Sequence, residues 1–439
     1  MPAQKRQVRS RQGSTTSNQF LTCVIRTKRC SMQWEVSMKA AAIVLFVGLF
    51  SGAFSSAGEF ALDVVPSAYP LQVSVPLPDD IELTAGSYCL IAPDAAPMPA
   101  QIVALESASG TQARRLVATL APASGMKPRR MALKARTEAL KPAFSFSPLS
   151  DRSLELSEGD RRVWVFNHGS IGREGVPPRY DRSNYFHPVF GPAGETLTDD
   201  FPKDHYHHRG LFWAWTTVQV AGLEDRKYES WIPNDFRYIF ERWRCREAGS
   251  VAAVLGAEFS WQTGERKTVR EEWVVTVFPE TADGRAMDFE IVWTALKDAV
   301  TVKGEPKKGY GGFSIRYAPR KDKTTVITTS EGRSPKDLEA GRIAWADLSG
   351  LFEGAREPSG AAIFVDPAHP GSPLTWLTRH YGFLCPEYPG LGAMTLEPGK
   401  PVRVAYRVWI HKGVPGVAAL QAQDEAYRQG LTAKLAVGQ

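Results

Sequence analysis

Histidine is the residue type whose placement asks for a chemical explanation. The chain holds eight, and five of them (His168, His187, His205, His207 and His208) fall within residues 168–208. The densest part reads DHYHHRGLFWAW, from Asp204 to Trp215. In an extended chain, side chains alternate between faces. On that reading His205, His207, Arg209, Trp213 and Trp215 share one face, with the two imidazoles about 7 Å apart. Imidazole exchanges protons near neutral pH. Arginine forks a carboxylate or phosphate, and an indole face stacks on a sugar. The strip predicts a ligand site with His205, His207 and His208 as its acid–base groups. The His-x-His spacing also suits two metal ligands on a strand. A third ligand is not fixed by spacing; His187, His380 and Asp204 are the candidates, and His205, His207 and His187 form one such set.

Later segments add further groups. Ser314 and Arg316 share a strand face in GGFSIRYA, and Arg379 and His380 lie in TRHYG after Trp376. Glu271, Glu272 and Glu397 are candidate general bases. Each has a structural alternative. Trp213 and Trp215 suit a sandwich core, and Arg209 suits an ion pair with Asp200 or Asp204. Glu271 and Glu272 suit an edge charge pair, Glu397 suits a turn, and His168 and His411 suit structural or solvated positions. The run Asp204–Arg209 is different, because six consecutive polar or titratable side chains are costly to bury without a purpose. Phosphate-cradling P-loops, GxGxxG turns, GxSxG elbows and CxxC pairs are absent from the sequence.

The elements that must hold these residues are strands. RRVWVFN, VREEWVVTVF, MDFEIVWTAL and VRVAYRVWI are rich in β-branched and aromatic residues and alternate. Further strands are expected at 211–220, 251–261, 312–318, 324–329 and 361–365. Strands over about 260 residues, without helices between them, predict a large antiparallel sandwich over 150–413. Residues 58–145 predict a small N-terminal β-sandwich, with 120–145 as a connector rich in Ala, Pro, Lys and Arg. The one helical pattern is Val417–Leu431, so residues 414–439 are expected to form a short C-terminal helix.

The 439 residues carry a formal charge of +6, which invites a nucleic-acid reading. Most of that charge sits at the start. Residues 40–50 read AAAIVLFVGLF, with Lys39 before and Ser55-Ser56-Ala57 after. This is a secretory signal-peptide pattern, too short for a permanent membrane span. Met38 precedes it directly and is the expected true start. Residues 1–57 contain eight Lys and Arg and one Glu, a charge of +7, so removing them leaves −1. No basic excess remains for nucleic acid. Cys89, Cys245 and Cys385 then remain, which allows one disulfide at most. The expected location is periplasmic or extracellular, with no integral membrane span in the mature chain.

Several segments together resemble the PmoA-like family of secreted bacterial proteins. They are HPVFGPAGETLTDDFP, KDHYHHRGLFWAW, GGFSIRYA, EAGRIAWADLSGLFEG, AAIFVDPAHPGSPLTWLTRHYGFL and LEPGKPVRVAYRVWIHKG, in that order across 150–413. The family's label points to methane oxygenation, which needs multi-helix membrane subunits that this chain does not resemble. The resemblance implies instead an all-β, galactose-mutarotase-like supersandwich and a sugar ligand. By it, His205, His207 or His208 serves as acid or electrophile and a carboxylate as base. Arg209, Arg316, His380, His187, Trp213 and Trp215 would contact the sugar, and Arg209 and Arg316 suit an acidic one. Three functions stand open: acid–base chemistry on a sugar (epimerase, lyase or hydrolase) with no cofactor required, carbohydrate binding without turnover, and a metal-dependent enzyme using the His-x-His pair.

Overall fold

The computed structural model describes residues 60–437, apart from 94, 107–111, 124, 126–127 and 224. The leader and Met38 lie outside the described residues. What is described is nearly all β, with several large antiparallel sheets and a single helix, Val417–Gly430, near the C-terminus. No helix among the described residues is long and apolar enough to cross a membrane.

Two nine-stranded sheets form the main body. The back sheet carries the longest strands, among them Phe236–Ala248, Ala253–Thr263, Arg266–Val277, Gly284–Ala295 and Val402–Lys412. Their alternation places one row of each strand inward. From Arg266–Val277, Val269, Trp273 and Val275 enter the core, as do Met287, Phe289, Ile291 and Trp293 from the next strand. The site sheet runs in the order Gly341–Arg342, Thr375–Arg379, Phe383–Glu387, Gly312–Arg316, Leu211–Ala214, Tyr185–Val189, Arg161–Asn167, Ser153–Glu158, Phe144–Pro148. Its inward rings interlock with those of the back sheet. Phe166 meets Trp273 at 4.8 Å, and Trp215 meets Trp261 and Trp293 at 5.3 and 5.1 Å between centroids. At roughly 25 cal/mol per Å² of apolar surface removed from water, such rings are the main source of stability.

The outer face of the site sheet carries a second, smaller apolar group. Tyr185, Phe212, Ala214, Leu377, Phe383 and Cys385 pack there with Trp231 from a covering loop. This outward face, with the loops laid over it, positions the candidate site.

Three sequence expectations need correction. Residues 211–220 are two strands, Leu211–Ala214 in the site sheet and Thr217–Val220 in a separate three-stranded sheet. The chain turns off at Trp215, whose backbone N–H is drawn to Ser230 Oγ at 2.9 Å. The expected connector contains a strand, Arg129–Ala135, lying between Gly86–Ile91 and Phe60–Val64 in the seven-stranded N-terminal sheet. Met131 and Leu133 point inward while its Arg and Lys residues face water, so a charged composition concealed an amphipathic strand. After the helix, Lys434–Val437 returns to pair with Phe60–Val64, so both ends of the described chain close one sheet.

Candidate functional site

Residues 201–210 are not a strand. They form two successive turns, closed by His205 N–H to Pro202 O and His208 N–H to His205 O, each at 2.9 Å. Asp200 and Arg209 pair across the base of this loop. Gly210 then re-enters the sheet at φ +64°, and a Cβ there would stand 2.2 Å from Phe186 O, so only glycine fits.

The turns bring the three imidazoles together instead of alternating them. His205 and His208 stack with centroids 4.7 Å apart, and His207 stands edge-on to both at 5.5 and 4.6 Å. His208 stacks on Phe383 at 4.7 Å and His205 on Tyr381 at 5.4 Å. Trp231 lies beneath His207 and His208 at about 6 Å. Arg316 braces the group from the sheet. Its Nη2 donates to both Asp204 oxygens at 3.0 and 3.2 Å, and its Nη1 lies 3.4 Å from His208 Nδ1. Asp204 in turn lies 2.9 Å from His205 Nδ1.

These rings line an open cavity of about 300 Å³. Its other walls are Trp231, Tyr310, Leu377, Tyr381 and Phe383, with Lys308 and Arg379 as the remaining cations. No carboxylate lines it among the described residues. Burial, then the neighbouring His205, Arg182 and Arg316, drop the His207 pKa to about 4. Burial, His207 and His205 push His208 well below its ordinary value. Both rings are therefore neutral at pH 7. Partial burial opposes ionisation of Asp204, but His205 and Arg316 outweigh it and hold that carboxyl below the usual range. Burial pushes the Tyr310 hydroxyl up to about 12.

The family model for DUF6807, a family of unknown function, matches residues 153–424, more than half of the chain and all of the cavity. The chain belongs to the DUF6807 family. No curated protein matches it. Among solved structures, it is similar to one described as "Putative kojibiose phosphorylase from human microbiome", at 9% identity and a TM-score of 0.28. That likeness covers 63% of this chain and 31% of the other.

Within this DUF6807 chain several expected ligand contacts are structural. Arg209 is fully buried. Its Nε meets Asp200, its Nη1 donates to Tyr180 O, and its Nη2 donates to Ile171 O and the Tyr185 hydroxyl. With four of its five N–H groups engaged and the Phe201 ring 3.5 Å below, it is enclosed within the protein and does not line the cavity. Trp213 and Trp215 are core residues whose indole N–H groups donate inside the protein, to Glu271 Oε1 and Tyr388 O. Arg316 reaches the cluster, where it engages Asp204 and faces His208, but it does not line the cavity. His187 bonds Thr198 Oγ1 at 3.0 Å through Nδ1 and does not line the cavity. Burial drops its pKa to about 4. The His380 ring turns away to Asp337 Oδ1 at 2.7 Å and Ser334 O at 3.1 Å, while its neighbours Arg379 and Tyr381 line the cavity.

The candidate bases are elsewhere too. Glu271 is fully enclosed in the core. Glu272 pairs with Arg244 at 3.2 Å and Arg270 at 3.4 Å, and Glu397 is exposed in a turn. No group of three His, Cys, Asp or Glu among the described residues is arranged to hold a metal ion. Sequence reasoning missed Trp231, Lys308 and Tyr310. Their signals were a tryptophan in the short segment YESWIP and a basic, glycine-rich stretch KKGYGG, both loop compositions.

Proposed function

We propose that this chain is a secreted carbohydrate-active protein that carries out acid–base chemistry on a sugar ring in the His205–His207–His208 cavity. The observation that carries the reading is the meeting of three imidazoles with aromatic walls in one open cavity. Its volume, about 300 Å³, suits a ligand of one or two sugar units. His207, neutral and unbraced by any carboxylate, is the proton acceptor. His205, linked through Asp204 to Arg316, is the group that returns a proton. Tyr310 and Trp231 supply the apolar wall against which a sugar face packs. The all-β architecture, the resemblance to mutarotase-type supersandwich proteins and the leader pattern before residue 58 support the same reading. Hydrolysis by a pair of carboxylates is the least favoured of the sugar reactions, because it needs two acidic groups flanking the bond and none lines this cavity.

The test is titration of mono- and disaccharides against the wild type, His207→Ala and Tyr310→Ala, followed by product analysis. The wild type should bind and convert at least one sugar. Tyr310→Ala should weaken binding about tenfold, and His207→Ala should abolish turnover. Failure of every sugar, or both variants behaving as wild type, removes the cavity as a sugar site.

A further inference from the structure

Apart from the phenols of Tyr310 and Tyr381, every ionisable side chain lining the cavity is a base. The three histidines, Lys308 and Arg379 converge, with no aspartate or glutamate among them in the described residues. Neutral sugars are typically held by acceptors that take hydrogen bonds from hydroxyl groups, and carboxylates are the strongest of these. A cavity lined by bases matches a ligand that brings its own negative charge. The nearby acids stand outside the lining and are engaged there: Glu305 accepts from the Lys307 and Lys308 backbone N–H groups and Glu229 from that of Ile232. Glu339 lies 3.6 Å from Lys308 and is bonded to Nη2 of Arg379, one anion shared by two cations, while Arg379 Nη1 donates to Leu338 O and Thr378 O and holds that charge in place. Asp204 is already paired with Arg316. Lys308 keeps 45% of its side chain exposed, on a loop that also carries Tyr310, and its only ion pair among the described residues is the long one to Glu339.

We infer that the ligand is an acidic sugar, a pyranose bearing a carboxylate, whose charge is met by Lys308 and Arg379 while its ring lies against Tyr310 and Trp231. This rests on the sugar reading above and narrows it. The three imidazoles fit the same picture. Buried and packed within 5.5 Å of each other and of His205, His207 and His208 resist protonation, through desolvation first and neighbouring charge second. An incoming carboxylate favours the charged form of these two rings, acting with Asp204 and against Arg182 and Arg316, and so couples binding to proton uptake.

The experiment compares glucuronate and galacturonate with glucose and galactose by calorimetry in two buffers of different ionisation enthalpy, with acetate and inorganic phosphate as further arms. Acidic sugars should bind at least tenfold more tightly than their neutral counterparts, with proton uptake, and the advantage should shrink as salt rises. Lys308→Ala should remove most of that advantage by weakening the uronates far more than the neutral sugars, and Lys308→Arg should restore it. Neutral sugars binding within threefold of acidic ones would overturn this inference and leave the sugar reading standing. Acetate or phosphate binding as tightly as the uronates would overturn it as well, by making the cavity a simple anion site. No binding of either sugar class would remove both.

Discussion

Glu271 and the three-histidine loop lie on opposite sides of the same sheet, and both gather polar groups away from water. They do so in opposite ways. Glu271 sits between the sheets with every lone-pair direction answered. Asn184 and Trp213 donate to Oε1, while Trp261 and Trp293 donate to Oε2 at 2.8 Å each. Trp273 holds Asn184 in place through its Oδ1 at 3.0 Å. The buried Arg182 adds a charge of the right sign. Burial alone raises the Glu271 pKa, and the indole and amide donors oppose it. The histidine cavity is desolvated without being satisfied. His207 has ring contacts and, among the described residues, no hydrogen-bond partner at its nitrogens, and the cavity stays open. Buried polar groups that are fully paired read as architecture; partly paired groups beside a cavity read as a place for something else.

The sharpest way to break this comparison is to remove the acceptor at its centre. Glu271→Ala strands three indole N–H groups and an amide N–H in the core, each worth roughly 1–3 kcal/mol when left unpaired. A loss of more than about 4 kcal/mol follows, enough to take most domains to the edge of unfolding. Urea titration measures it. A loss below about 1 kcal/mol would mean that the indole ring packing, and not the carboxylate, organises the sandwich.

Glu387 sharpens the comparison because it is buried like Glu271 and poorly paired like His207. Neither of its oxygens receives a hydrogen bond of regular geometry. Burial pushes its pKa from 4.5 up to about 7, with Thr375 and Arg379 pulling the other way. The sign follows directly. The folded state holds the proton more tightly than the unfolded state, so ionisation destabilises the fold as pH rises above 4.5, fully so above about 7. Glu387→Gln should therefore stabilise the protein at pH 8, by up to about 3 kcal/mol at 1.4 kcal/mol per pH unit. The gain should vanish near pH 4.5. A stability difference that does not change with pH would show that the carboxyl is paired in solution.

The same distinction explains what the sequence could and could not tell. Strand periodicity is a local signal, so MDFEIVWTAL and VRVAYRVWI read correctly as strands, which the fold places in the back sheet. The histidine density at 205–208 likewise marked the loop that lines the cavity. Its geometry did not read, because an alternating pattern and two tight turns bring the same residues together by different routes. Arg209, Trp213 and Trp215 look chemically equipped in sequence, and only their partners across the fold, at Tyr180, Glu271 and Tyr388, show them to be fully occupied. Lys308 and Tyr310 stand about 100 residues from the histidines and reach them only because Leu211–Ala214 pairs with Gly312–Arg316. Such nonlocal pairing leaves no trace in a window of a dozen residues.

The smallest effect on stability belongs to the cavity itself, and it is the one that most directly separates the two regions. His207 packs at the rim of the cavity against other rings, so His207→Gln removes little burial and leaves no partner stranded. It should cost less than about 1 kcal/mol at pH 8, as substitutions away from satisfied networks do. Its pH dependence carries the information. With a folded pKa near 4 against 6.5 when unfolded, His207 binds its proton more tightly in the unfolded chain. The wild type therefore loses stability as pH falls from 6.5 toward 4, and His207→Gln should flatten part of that slope. Unfolding followed by urea titration at pH 8, 6 and 5 gives the slope for both proteins. Identical slopes would mean that His207 is already paired or solvated, and the cavity would then belong with Glu271 as architecture.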